Sequence, residues 1–230
     1  MKKLFTLVLV ACTLTAFTQC NDSFFPFNEG VSFEQTAYDK KGKEQGKSMS
    51  EIVTVDGSSA VVKNVFFDKK GKEVADGEYT IICEGNMIKM DFNKFIPDGM
   101  LDQYGDAEVT VEGDFITIPN DLQEGQSLPD GSGTVTIKMT SAAAMNITMD
   151  MTITDRKVEK VETLNTPAGS FDTYKISQNT IVKMNMMGMN KTTENSSASW
   201  YAKGVGMVRN ENYDKKGDLM GYTELTSFDN

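Results

Sequence analysis

The chain has 230 residues, 39% of them apolar, and 23 basic against 33 acidic residues for a formal net charge of −10. A surface this acidic repels nucleic acid and anionic lipid headgroups, so both are poor partners. With no histidine at all, the usual Ser-His-Asp and Cys-His mechanisms and the usual zinc sites are excluded; with two arginines, Arg156 and Arg209, there is no phosphate-clamping cluster.

Met1, Lys2 and Lys3 begin the chain with positive charge, Leu4 to Ala11 is apolar apart from Thr6, and small residues follow at Ala16 and Thr18. This is the anatomy of a secretory signal peptide over 1–18, and the apolar run is too short for a membrane span. Cleavage there leaves 19–230 with 21 basic against 33 acidic residues, a net charge of −12. A second reading makes Cys20 the lipidated cysteine of a lipoprotein, although Phe17-Thr18-Gln19 suits that peptidase poorly; Leu9-Val10-Ala11-Cys12 spells a better lipobox after a short apolar stretch. The expected location is the periplasm or the outer membrane of a Gram-negative bacterium, with membrane contact only if Cys20 is lipidated. Cys20 and Cys83 remain after cleavage, and two cysteines in an oxidising compartment predict one disulfide. Closing a loop that long restricts the unfolded chain by about 4 kcal/mol. The alternative is a buried free thiol at Cys83.

Tyr38-Asp39-Lys40-Lys41-Gly42-Lys43 is the first of three similar hexapeptides. Phe67-Asp68-Lys69-Lys70-Gly71-Lys72 and Tyr213-Asp214-Lys215-Lys216-Gly217-Asp218 are the others. In each, an aromatic residue ends a strand, Asp opens a type I turn through its side chain, and Gly supplies a positive φ. The plain reading is three solvated hairpin turns; the functional one is a binding loop repeated on one rim. Between Asn93 and Tyr104 the pattern breaks, and Met100 to Tyr104 reads as a short helical turn. Ala107, Val109 and Val111, then Val135, Ile137 and Met139, then Met145, Ile147, Met149, Met151 and Ile153 alternate with polar residues, the mark of half-buried strands. About a dozen such strands are expected. Leu122 to Gly133 is a polar connection and the best candidate for a seam within one domain.

Fifteen methionines cluster at Met145, Met149 and Met151 and again at Met184, Met186, Met187 and Met189. They read as adaptable core, as the wall of a lipophilic cavity, or, with soft thioether ligands, as a copper(I) site. Tyr174 and Trp200 are aromatic candidates for the same cavity wall. The site expected is therefore Met145, Met149, Met151, Tyr174, Met184, Met186 and Trp200, with no catalytic residue, no metal and no cofactor. Carboxylates are plentiful, but no pair stands out as glycosidase machinery.

Thr166-Pro167-Ala168-Gly169-Ser170-Phe171-Asp172-Thr173-Tyr174-Lys175-Ile176 and Trp200-Tyr201-Ala202-Lys203-Gly204-Val205-Gly206-Met207-Val208-Arg209 resemble signature segments of exported bacterial proteins of unknown function called TapB-like. The resemblance implies an all-β fold: a curved antiparallel sheet forming an incomplete barrel or sandwich, with at most one short helical segment. By analogy with periplasmic lipoprotein carriers, 95–104 would be a lid. Two roles are expected of such a chain, neither enzymatic. One is a binding or carrier module for a lipid or other apolar ligand; the other is a structural adaptor with a filled core and an envelope protein partner.

Overall fold

The computed structural model describes residues 22–90, 108–113, 116–138, 146–186 and 188–230. Among them there are thirteen strands and no helix: β1 (Ser32–Asp39), β2 (Glu44–Asp56), β3 (Ser59–Asp68), β4 (Glu73–Glu84), β5 (Met87–Met90), β6 (Glu108–Gly113), β7 (Ile116–Pro119), β8 (Gly131–Lys138), β9 (Asn146–Thr166), β10 (Gly169–Met186), β11 (Met189–Ala202), β12 (Gly206–Asp214) and β13 (Leu219–Asp229). They form one antiparallel sheet in the order β6-β8-β9-β10-β11-β12-β13-β1-β2-β3-β4-β5-β7. The expected all-β architecture is what the structure has. The helical turn at 100–104 and the lid at 95–104 lie outside the described residues.

The sheet is not closed into a barrel, yet its two edges are tied. β6 and β7 sit at opposite ends of the strand order but are consecutive in the chain. Three Cα steps of about 3.8 Å separate Gly113 from Ile116, so the edges stand within roughly 11 Å. The sheet therefore curls almost full circle, and the residues on its concave side form the interior.

Alternation builds the walls. Val135, Met149 and Met184 lie in register across β8, β9 and β10, as do Ile137, Ile147 and Met186. The pairing of β9 with β10 is irregular at two places; one is at Asp155, whose φ is +54°. Opposite it the register of β10 shifts between Ser177 and Asn179, and Asn179 Nδ2 donates to Asp155 Oδ2 at 2.9 Å. Such a bulge re-aims the side chains beyond it: the buried positions change from odd (Ile153) to even (Arg156 and Val158).

Residues 22–31 cross the interior before β1 begins. Phe24 is buried and stands edge-on to Tyr174 with ring centroids 5.2 Å apart. Its N–H donates to Asn120 Oδ1 at 3.3 Å on one side, while Gly204 N–H donates to Ser23 O at 2.7 Å on the other. This strap joins the β7 end of the sheet to the β11–β12 turn. Around it gather Ile52, Val62, Ile81, Ile88, Ile118 and Val158 as the main core. The connection expected as a seam is packed against that core: Leu122 and Leu128 are buried, and Leu128 N–H donates to Arg156 O at 2.8 Å.

Candidate functional site

An apolar cavity of about 350 Å³ opens on the concave side of β1–β4. Its existence follows from the inner rows of those strands. Phe33, Ser50, Asn64 and Gly77 are successive cross-strand partners, and Gln35, Ser48 and Phe66 form the next row. Partners in register share a face. Between Phe33 and Phe66 these rows therefore place small residues where large ones would fill the space. Tyr79, Ile81, Ile88 and Ile118 make the far wall, and Phe24, Tyr201 and Met207 close it from the strap and the β11–β12 side.

The polar groups at this wall are satisfied by the protein. Gln35 Nε2 donates to Met207 O at 2.8 Å, and Ser50 Oγ donates to Asn64 Oδ1 at 3.3 Å. Burial pushes the Tyr79 phenol up to about 12, with a hydrogen bond to Ser50 opposing it. Burial also raises Tyr201, opposed by the Arg156 cation. Glu78 supplies the one carboxylate among the lining residues, and it is exposed. The wall is thus mostly apolar, with Gln35, Ser48, Asn64, Glu78 and the two tyrosines as its polar members.

Arg156 stands behind the wall. It is buried; Nη1 donates to Pro129 O at 2.8 Å and Nη2 to Thr117 O at 3.0 Å, and its Nε–H has no partner. Desolvation lowers its pKa, while Tyr201 and Asp130 oppose that. The guanidinium thus fastens β7, an edge strand, to β9. Arg156 had no assigned role in the sequence; its signal is a cation falling on an inward position just after the alternation slips.

The residues expected to wall a cavity are not brought together. Met149, Met151, Met184 and Met186 share one half-buried face of β9 and β10. Tyr174 lies ten residues from Met184 along β10, a contour of roughly 33 Å, and packs on the main core. Trp200 is in register with Lys175, whereas Tyr174 is in register with Tyr201, so Trp200 faces the opposite way. Its indole N–H donates to Glu162 Oε1 at 2.7 Å, and Lys175 Nζ sits 4.9 Å from its ring centroid. None of these six residues lines the cavity described above. The apolar space lies on β1–β4, with Met90 and Met207 in its own lining, away from the methionine face of β9 and β10. Met145 and Cys20 lie outside the described residues. Cys83 is buried, with Asn120 Nδ2 at 4.0 Å from its sulfur. Among the described residues no three His, Cys, Asp or Glu side chains gather as a metal site.

The curled, unclosed antiparallel sheet is similar in fold to solved structures of bacterial proteins. A candidate lipoprotein from Parabacteroides distasonis ATCC 8503 matches with a TM-score of 0.72 and 25% identity, over 90% of this chain and 98% of that one. A candidate exported protein with a YmcC-like fold from Bacteroides fragilis NCTC 9343 matches with a TM-score of 0.69 and 24% identity, over 90% and 99%. The chain belongs to the DUF3108-like family, whose model matches residues 28–225. That match does not confirm the TapB-like name. No protein of curated function matches the chain.

Proposed function

We propose that this is an exported, non-catalytic binding module for an apolar ligand, held in the cavity on β1–β4 and not along the methionine strands. The cavity carries the reading. Its volume of about 350 Å³ lies toward the small end of the ~300–1,000 Å³ range of ligand pockets. A single acyl chain is the ligand of that kind we infer. Export is supported by the signal-like residues 1–18 and by the exported-protein description of a neighbour of the same fold. The late segments 166–176 and 200–209 keep the likeness to TapB-like proteins within this proposal. A Cys20–Cys83 disulfide is part of it too. Three residues after Cys20, Ser23 is buried, and Phe24 is bonded to the Asn120 that neighbours the Cys83 sulfur.

The test is displacement of a fluorescent apolar probe by laurate, a twelve-carbon acid, from the mature chain. Ser48→Phe and, separately, Gly77→Leu place volume in the cavity from β2 and β4. Laurate affinity should fall at least tenfold in a variant whose thermal unfolding is cooperative. A wild-type chain that takes up neither probe nor laurate, or filled variants that bind as well as wild type, would overturn the assignment.

A further inference from the structure

We propose that the rim formed by the three Asp-Lys-Lys-Gly turns is a docking edge for an anionic lipid surface. The turns close the hairpins β1–β2, β3–β4 and β12–β13. Strand order places these three hairpins side by side, β12-β13-β1-β2-β3-β4, and antiparallel pairing puts all three turns at one end. With strands about 4.8 Å apart, neighbouring tips stand roughly 10 Å apart and the outer two roughly 19 Å apart. A cleft lined by Asp39, Lys40 and Lys41 from one turn and Asp214, Asp218, Leu219 and Met220 from its neighbour shows the first and third turns adjoining.

The turns are built alike. Asp39 Oδ1 accepts from Lys41 N–H at 2.8 Å and Lys43 N–H at 3.0 Å, and Asp68 and Asp214 repeat both bonds at the same distances. Gly42, Gly71 and Gly217 take φ of +76°, +76° and +83°. The aspartate charges are therefore bound into their own turns, while the central lysines of all three turns are exposed. With the exposed Glu44 and Glu73 that follow two of the turns included, residues 39–44, 68–73 and 214–218 hold eight lysines against four aspartates and two glutamates in a chain of net charge −10. The chain's overall repulsion of anionic surfaces does not reach the rim, because charges more than a Debye length of about 8 Å away are screened at physiological salt. Val74 and Met220, both large, apolar and exposed, flank two of the turns. Lysines beside exposed apolar side chains suit a lipid headgroup region better than a soluble acidic glycan, which would leave the apolar surface in water.

This inference stands apart from the cavity, and its test uses no apolar ligand. Vesicles of phosphatidylcholine with and without phosphatidylglycerol are sedimented with the mature chain at physiological salt, where the chain's distant acidic charges are screened. Two charge-matched variants are compared: a rim variant with Lys40, Lys41, Lys69, Lys70, Lys215 and Lys216 changed to Gln, and a control with Lys63, Lys138, Lys157, Lys160, Lys183 and Lys191 changed to Gln. Wild type and control should bind the anionic vesicles and release them as salt rises. The rim variant, with unfolding temperature unchanged, should bind at least tenfold more weakly. Equal loss in both variants, no wild-type binding to anionic vesicles, or binding to a soluble acidic polysaccharide in their place would overturn it.

Discussion

Arg156→Met tests whether a buried cation holds the curled sheet to its edge. The substitution keeps most of the volume and removes two donors to Thr117 O and Pro129 O, now bonded at 3.0 and 2.8 Å. A hydrogen bond from a charged donor contributes about 1.5–3 kcal/mol, so the pair represents roughly 3–6 kcal/mol. Against this stands the cost of burying a guanidinium with an unpartnered Nε–H, which Met does not incur and which amounts to several kcal/mol before compensation. With two orphaned carbonyls left behind, we expect a net loss of about 2–3 kcal/mol. Arg156→Ala should cost about 4–5 kcal/mol, because a cavity is added. Arg156→Lys should fall with Met, since an ammonium lacks the planar fork that reaches both carbonyls. Urea unfolding followed by the fluorescence of Trp200 reads the global cost. Amide exchange in 116–119 and 126–130 reads whether the loss is local to the edge. A Met variant as stable as wild type would refute the reasoning, for desolvation would then outweigh both bonds.

Phe24→Ala should cost about 3–5 kcal/mol, since the ring is fully buried in the strap; the same urea titration measures it. Spectroscopic titration of the tyrosines should show Tyr79 and Tyr213 ionising near 12, each raised first by burial and Tyr213 also by Glu211. Their folded pKa exceeds the unfolded one, so the stability they contribute is whole below about pH 10 and is lost as pH rises through the folded values. The carboxyls of Asp39, Asp68 and Asp214 are held low by backbone N–H donors. What they contribute is present above the ordinary Asp pKa and is lost as pH falls through the lowered one; in the triple Asp→Ala variant, stability should depend less on pH in that acid range. Gly71→Ala should cost about 1–2 kcal/mol by thermal unfolding, because φ is +76° there although nothing crowds the site.

Period-two patterning made strands legible: the alternating runs at 107–111, 135–139 and 145–153 fall on β6, β8 and the first part of β9. The hexapeptide turns were legible singly, since Asp, Gly and the aromatic each act within a few residues. That they share a rim was not, because it depends on strand order, a long-range property. The stretch Leu122 to Gly133 reads as a seam from its polarity; the two leucines that anchor it, Leu122 and Leu128, carry the packing and are too few to form a pattern. Arg156 was hidden by the bulge at Asp155, which no local residue preference announces. The cavity was sought among methionines because apolar content is visible in a sequence. A cavity is missing volume, and here it comes from Ser48, Ser50, Asn64 and Gly77, four small residues on three strands that only register brings together.

The methionine face then needs its own explanation, and truncation can supply it. Met149 and Met184 are paired in register and half-buried. A fully buried methionine cut to alanine costs about 2–5 kcal/mol. When half the side chain already meets water, about 1–2 kcal/mol is expected for each, since only the area removed from water counts. Their contact should add a coupling of at least ~0.5 kcal/mol in a double-mutant cycle. If that face is bare in solution, the costs will not change over about a hundredfold range of protein concentration. If a second copy covers it, wild-type unfolding temperature will rise with concentration, and Met149→Ala with Met184→Ala will abolish the rise. The first outcome leaves these strands as adaptable wall; the second makes them an interface, the property an envelope adaptor requires.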